Sequence, residues 1–132
     1  MPELPNSVAP GEPGYDSARE RVIWNKRLDK TRSPDAIVSC GSADDVARAI
    51  RYARENGLKV SPRGSGHHYE AAALRDGGLL LDLSGLDFID IETEARTARV
   101  GAGVRGGELG ETLAPQGFPF PVGPCIRVGL GG

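Results

Sequence analysis

Two short glycine-bearing stretches of this sequence carry side chains able to act as nucleophiles. The first is Arg63-Gly64-Ser65-Gly66-His67-His68-Tyr69. Its two glycines and serine let the backbone approach a ligand closely and turn successive N–H groups toward an anion, which is how a phosphate is cradled. His67 and His68 put imidazoles at the lip of that cradle, and a neutral imidazole is a competent nucleophile. The second stretch, Gly123-Pro124-Cys125-Ile126-Arg127-Val128-Gly129, carries a cysteine whose thiolate is nucleophilic in the same sense. Taken singly, these residues have plainer readings: one histidine buried and hydrogen-bonded, the other exposed, and Cys125 a small buried hydrophobe. Metal binding is not expected. Adjacent residues of an extended segment point in opposite directions, and no neighbouring cysteine or carboxylate set completes a zinc site.

A third glycine pattern, Gly101-Ala102-Gly103-Val104-Arg105-Gly106, matches G-x-G-x-x-G after a strand and before a helix. A dinucleotide site of that type needs an acidic residue about 20 positions further on to hold the ribose. Residues 112–132 contain neither Asp nor Glu, and the next strand of a β-α-β unit is missing. A reductase using a nicotinamide nucleotide is therefore the weaker reading of this pattern.

The elements that must position these loops follow from periodicity. Residues 36–40, Ala-Ile-Val-Ser-Cys, form a short apolar run that reads as a buried strand. Ser42 is placed as a helix N-cap, with Asp44 and Asp45 in the first turn where carboxylates complement the helix dipole. Val46, Ala49, Ile50 and Ala53 keep helical spacing, and Gly57 sits where a left-handed residue ends a helix. Residues 58–61 form the next strand, so 36–63 makes a β-α-β unit with a parallel strand pair and a right-handed crossover, emptying into the first glycine loop. Residues 79–83 and 88–91 read as strands, the second pairing with 97–100 in an antiparallel hairpin across a polar turn. Residues 106–114 form a short helix ended by Pro115 and Gly117. Before all of these, residues 1–14 carry four prolines and almost no large apolar side chain, which predicts a mobile arm. Residues 15–24 predict a short helix, and 25–33 a polar surface connection.

With 132 residues the chain supports one domain and one core. A net charge of −2, with basic and acidic residues interspersed, gives no basic face for nucleic acid. Apolar runs such as residues 79–81 are far too short to cross a bilayer, and Met1-Pro2-Glu3 lacks the basic start and apolar stretch of a signal peptide, so the expectation is a soluble, cytoplasmic protein with no membrane partner. The two cysteines, Cys40 and Cys125, have no metal-ligand spacing, and a disulfide between them stays open. The 19 glycines and 10 prolines gather at the N-terminus and in the loops from Arg63 onward, a distribution that suggests functional loops more than general disorder.

In combination the motifs say more. Arg63-Gly64-Ser65-Gly66-His67, Leu81-Asp82-Leu83-Ser84, Gly101-Ala102-Gly103 and Gly123-Pro124-Cys125-Ile126-Arg127-Val128-Gly129 occur in this order. So arranged, they resemble the FAD-binding domain of the p-cresol methylhydroxylase and vanillyl-alcohol oxidase type, in particular its berberine-bridge-enzyme branch with R-G/S-G-G-H and G-x-C-x-x-V-G signatures. The resemblance covers residues 33–132 and implies FAD held by two covalent bonds, from His67 to the 8α-methyl of the isoalloxazine and from Cys125 to its C6. It also implies that Arg63, Gly64, Ser65, Gly66, His67 and His68 form the pyrophosphate loop, that Tyr69 packs beside the cofactor, and that Gly123, Val128 and Gly129 shape a second wall. Two departures stand out: Ser65 replaces a common glycine, and Glu70-Ala71-Ala72-Ala73 stands where the family carries a glycine soon after its tyrosine.

The expected fold is α+β: an N-terminal β-α-β unit followed by mainly antiparallel strands, together the first part of a bilobed FAD domain. Residues 1–32 are expected to be an arm and short helix, and 33–132 the N-terminal part of the domain. The resemblance implies an FAD-linked oxidoreductase that oxidises an alcohol, sugar or amine-bearing carbon of a small molecule by hydride transfer to flavin N5, with dioxygen or another acceptor taking the electrons. Family members run to several times this length, so a C-terminal half, in a longer chain or from a partner, is expected to complete the domain and to supply the catalytic base, which is assigned to no residue here. A non-catalytic remnant without flavin is the alternative.

Overall fold

The computed structural model describes residues 4–27 and 31–131. In chain order the elements are β1 (Ser7–Val8), α1 (Tyr15–Arg21), β2 (Ala36–Ser39), α2 (Ala43–Glu55), β3 (Val60–Arg63), β4 (Leu79–Asp82), β5 (Ile89–Glu92), β6 (Thr97–Val100) and α3 (Gly106–Leu113), which runs on into a 3₁₀ turn over Ala114–Gln116. The α+β class is as expected, but the strand order is not. The main sheet runs β1-β2-β4-β3, with β4 parallel to both neighbours and inserted between the two strands that the β-α-β reading made adjacent. Side-chain character explains the insertion. All four residues of β4 are buried, as a strand covered on both faces requires, whereas β3 is half exposed and contains Pro62, which has no N–H to donate and suits an edge. β3 also starts two residues later than expected, so the glycine loop begins at Gly64.

The predicted mobile arm is a second correction. Ser7 and Val8 pair antiparallel with Val38 and Ile37, Leu4 and Val8 pack against the core, and the Ser7 hydroxyl donates to the Leu4 carbonyl at 2.5 Å. Composition alone missed that β2 offers a bare backbone edge, which supplies the arm with partners and offsets its ordering entropy. Residues 1–3 of that arm, 28–30 of the surface connection and Gly132 lie outside the described residues.

Strand alternation sends side chains to two faces of this sheet. Ile37 and Leu80 join Tyr15, Ala18, Val22, Ile23, Ala71 and Leu74 on the α1 side. Ala36, Val38, Leu79 and Leu81 join Cys40, Ala49 and Ala53 under α2. Helix α2 is delimited as its sequence requires: the Ser42 hydroxyl accepts from the Asp45 N–H at 3.2 Å, and Gly57 takes φ +63° beyond the last turn. Hydrogen bonding from the Ser42 hydroxyl, then from Arg48, holds the Asp45 carboxyl below its ordinary range. The buried stripe is narrower than expected, since Ile50 is half exposed.

The β5–β6 hairpin lies in a separate two-stranded sheet and packs on α3, with Ile89, Ile91 and Val100 against Val104, Leu109 and Leu113. Close backbone contact sets it on the turn that follows β4. Gly101 and Gly103 donate to the carbonyls of Phe88 and Leu86 at 2.9 and 2.8 Å.

Candidate cofactor site

β3 delivers Arg63 to the base of the first glycine loop. Its guanidinium is buried and donates to Asp82 Oδ1 at 2.8 Å, on the neighbouring strand at the paired register position. A second nitrogen of the same group donates to the Ser65 carbonyl at 2.9 Å. Arg63 thus braces the loop from behind, with its charge spent on Asp82. Gly66 turns the chain at φ +71°, and a Cβ there would lie 2.6 Å from the Val22 carbonyl oxygen, so only glycine fits. Among the described residues, the N–H groups of Gly64, Ser65, Gly66 and His67 donate to no protein acceptor. Four successive unspent donors on a glycine loop are the cradle that an anionic pyrophosphate requires.

Beyond the cradle the two histidines separate. His68 is exposed and its Nδ1 accepts from the Glu70 N–H at 3.1 Å. His67 stacks on Trp24, with ring centroids 4.3 Å apart and planes 29° from parallel. Tyr69 meets the edge of the same indole at 5.4 Å, and its ring is otherwise exposed. Ala71 takes φ +45° while buried in the core, the left-handed conformation that glycine adopts freely and that costs other residues about 1–2 kcal/mol.

The second loop comes to the first. Cys125 Sγ lies 3.5 Å from His67 Nε2. The Gly129 N–H donates to the Ser65 hydroxyl at 2.9 Å, and a Cβ on Gly129 would lie 2.9 Å from that of Ser65. Ser65 is therefore the post on which the second loop is hung, and its φ is not positive, so the side chain costs no strain there. Val128 stands partly exposed on this wall, while Gly123 is exposed, and a Cβ added there would meet nothing within 4 Å.

Both cysteines are free. Burial pushes the Cys40 thiol up, with the carboxylates of Asp45 and Asp82 adding to the effect, while Cys125 is exposed. One equivalent of an alkylating reagent should therefore add to the native protein at neutral pH, at Cys125, and a second only after unfolding; peptide mapping that finds Cys40 labelled in the native fold would contradict this.

The third glycine pattern is accounted for by packing. A Cβ on Gly101 would sit 2.0 Å from the Leu86 carbonyl oxygen, and one on Gly103 2.5 Å from that of Ser84. The N-terminal amides of α3, which a dinucleotide pyrophosphate would need, are already spent: Gly106 and Gly107 donate to the carbonyls of Val128 and Ile126, each at 2.9 Å.

Trp24, Asn25 and the role of Asp82 were not found by sequence reasoning. Trp24 is the sole tryptophan and ends the first predicted helix, which the structure closes earlier, at Arg21. Asn25, whose amide donates to the Tyr69 carbonyl at 3.0 Å, reads as ordinary loop composition.

A parallel-centred mixed sheet that ends in an amide-lined glycine loop, with an imidazole and a thiol meeting at its lip, defines a cofactor-holding α+β domain. Within that class the chain belongs to the FAD-binding domain family, whose model matches residues 34–132. (R)-6-hydroxynicotine oxidase of Paenarthrobacter nicotinovorans is 38% identical over 125 residues, which are 95% of this chain and 26% of that protein. The crystal structure of 6-hydroxy-D-nicotine oxidase from Arthrobacter nicotinovorans superposes with a TM-score of 0.82 at 37% identity, covering 93% of this chain and 26% of that one. The berberine-bridge-enzyme-like protein 1 of Physcomitrella patens does so with a TM-score of 0.78 at 35% identity, covering 94% and 27%. The chain thus spans about a quarter of the length of these relatives.

Proposed function

We propose that this chain holds FAD for an oxidoreductase, with His67 and Cys125 both bonded to the isoalloxazine. One observation carries the reading: an imidazole nitrogen and a thiol from residues 58 positions apart lie 3.5 Å from each other beside four unspent backbone amides. Gly64, Ser65, Gly66, His67 and His68 would line the pyrophosphate, Tyr69 would flank the cofactor, and Gly123, Val128 and Gly129 would form the second wall. Arg63 would act by holding the Ser65 carbonyl, and with it the loop. The bound flavin would supply hydride acceptance from an alcohol, sugar or amine-bearing carbon of a small molecule, and dioxygen or another acceptor would restore it. The chain's own contribution is to bind the anionic end, fix the ring at two points and orient it. In this reading residues 33–132 form the N-terminal part of the FAD domain, and 1–32 precede it. No described helix is long and apolar enough to cross a membrane.

The test is the intact mass of the denatured protein after expression with flavin available. A gain of one FAD is expected in the wild type. Either single variant, His67→Ala or Cys125→Ala, should keep that gain through the remaining bond, and the double variant should lose it. An unmodified wild-type mass would overturn covalent attachment, and a native sample that is also colourless would overturn FAD binding.

A further inference from the structure

We propose that Trp24 is a positioning residue for the His67 imidazole, holding the ring so that a nitrogen faces Cys125 and the volume they share; this rests on the reading of His67 as a site of flavin attachment. Left to itself, an imidazole on an exposed loop turns over a broad range about its terminal torsion. Here the indole lies against one face of the ring, and the thiol of Cys125 lies at its edge. One contact on the face of the ring and one at its nitrogen fix a plane and a direction.

Core packing does not account for Trp24. Val22 and Ile23, the residues before it, are 3% and 1% exposed and fill the space under the sheet, while Trp24 remains 41% exposed. Its aromatic ring partners among the described residues are His67 and Tyr69, at the end of the glycine loop. The neighbouring residues act on the same loop: the Arg21 carbonyl accepts from Arg63 at 3.4 Å, the Val22 carbonyl lies against Gly66, and Asn25 holds the Tyr69 carbonyl. Residues 21–25 therefore form a clamp on residues 63–69. This clamp lies outside the segment 34–132 that the family model matches.

The experiment compares the wild type with Trp24→Leu and Trp24→Phe, using two readouts. The first, in flavin-free protein, is the proton NMR of the His67 ring, assigned with His67→Ala: stacking over an indole moves these protons upfield and gives nuclear Overhauser cross-peaks to Trp24. The second is the rate at which flavin-free protein gains the mass of FAD after the cofactor is added, measured with Cys125→Ala in every protein compared so that His67 is the remaining attachment site. Trp24→Leu is expected to lose the upfield displacement and to slow the mass gain by about 10- to 100-fold, the usual cost of a misplaced reacting group. Trp24→Phe should retain the displacement and stay near the wild-type rate. His67 signals that are the same in Trp24→Leu as in the wild type, or an unchanged rate in that variant, would overturn the proposal. If the Cys125→Ala protein with Trp24 intact gains no mass, attachment at His67 is what fails, and the clamp is judged on the ring signals alone. If Trp24→Leu does not fold, absence of Trp24–His67 cross-peaks in the wild type is the overturning result and their presence with Trp24→Phe behaving as the wild type the supporting one.

Discussion

Asp82→Ala is expected to lower the stability of the chain by about 3–5 kcal/mol, the usual cost of leaving one partner of a buried ion pair unpaired. Arg63 is 8% exposed and Asp82 3%, so neither charge can turn to water without the sheet opening. Asp82 also accepts from the Ser84 N–H at 3.1 Å, and its second oxygen lies 3.9 Å from Arg21. The substitution therefore strands a guanidinium and a backbone donor in the same place. A urea titration measures the loss as a fall in midpoint at unchanged slope. The double variant Arg63→Met/Asp82→Leu should recover most of it, since an apolar pair of similar volume is often as stable as a buried ion pair. It should not recover flavin binding, because the Ser65 carbonyl has lost its brace. An Asp82→Ala midpoint indistinguishable from wild type would show that the pair is not buried as described.

The second large effect is expected at Gly101. A methyl group there would need to occupy a point 2.0 Å from the Leu86 carbonyl oxygen and 2.5 Å from its carbon, both main-chain atoms of the turn after β4. The hairpin must then lift off that turn, at a cost at or above the upper end of the range for overpacking, about 3 kcal/mol. Gly110 gives the control. It lies within α3 with nothing within 4 Å of an added Cβ, so Gly110→Ala should stabilise by about 0.5–1 kcal/mol through the flexibility removed from the unfolded chain. The same chemical change is thus expected to have opposite signs nine residues apart. Equal midpoints for the two variants in urea would refute the packing of the hairpin on residues 83–86.

These two sites show where the sequence was legible and where it was not. Helix α2 could be read almost to the residue, because its signals are local: a serine cap, acidic residues in the first turn and a glycine beyond the last. The hairpin was legible for the same reason, being two short strands across one polar turn. Strand order was not. Placing β4 between β2 and β3 depends on which strand most needs neighbours on both sides, a comparison between segments that no local pattern displays. The order was nevertheless implicit in the contrast between Leu79-Leu80-Leu81 and the proline of β3.

In the site, resemblance brought His67 and Cys125 together, and the geometry adds that they touch. The amide cradle followed from Gly64 and Gly66. Trp24 could not be found from periodicity, because its partner is 43 residues away and one aromatic at the end of a short helix carries no spacing. Asp82 was visible as part of an apolar run, but its ion pair required the parallel register that sets it opposite Arg63.

The first glycine loop is held by segments that lie far from it in the sequence on either side. Residues 21–25 press on it from one side and residues 125–131 hang on it from the other, through contacts such as Gly129 to Ser65, 64 positions apart. Contacts of such long sequence separation repay their closure entropy only after much of the intervening chain is ordered, so they form late. The imidazole and the thiol are consequently expected to meet only once the segments that separate them, 58 positions long, are ordered. A cofactor captured by both groups would then mark a chain in which residues 63–69 and 125–129 had closed on one another, and a chain that stalled before that point would carry two ordinary side chains.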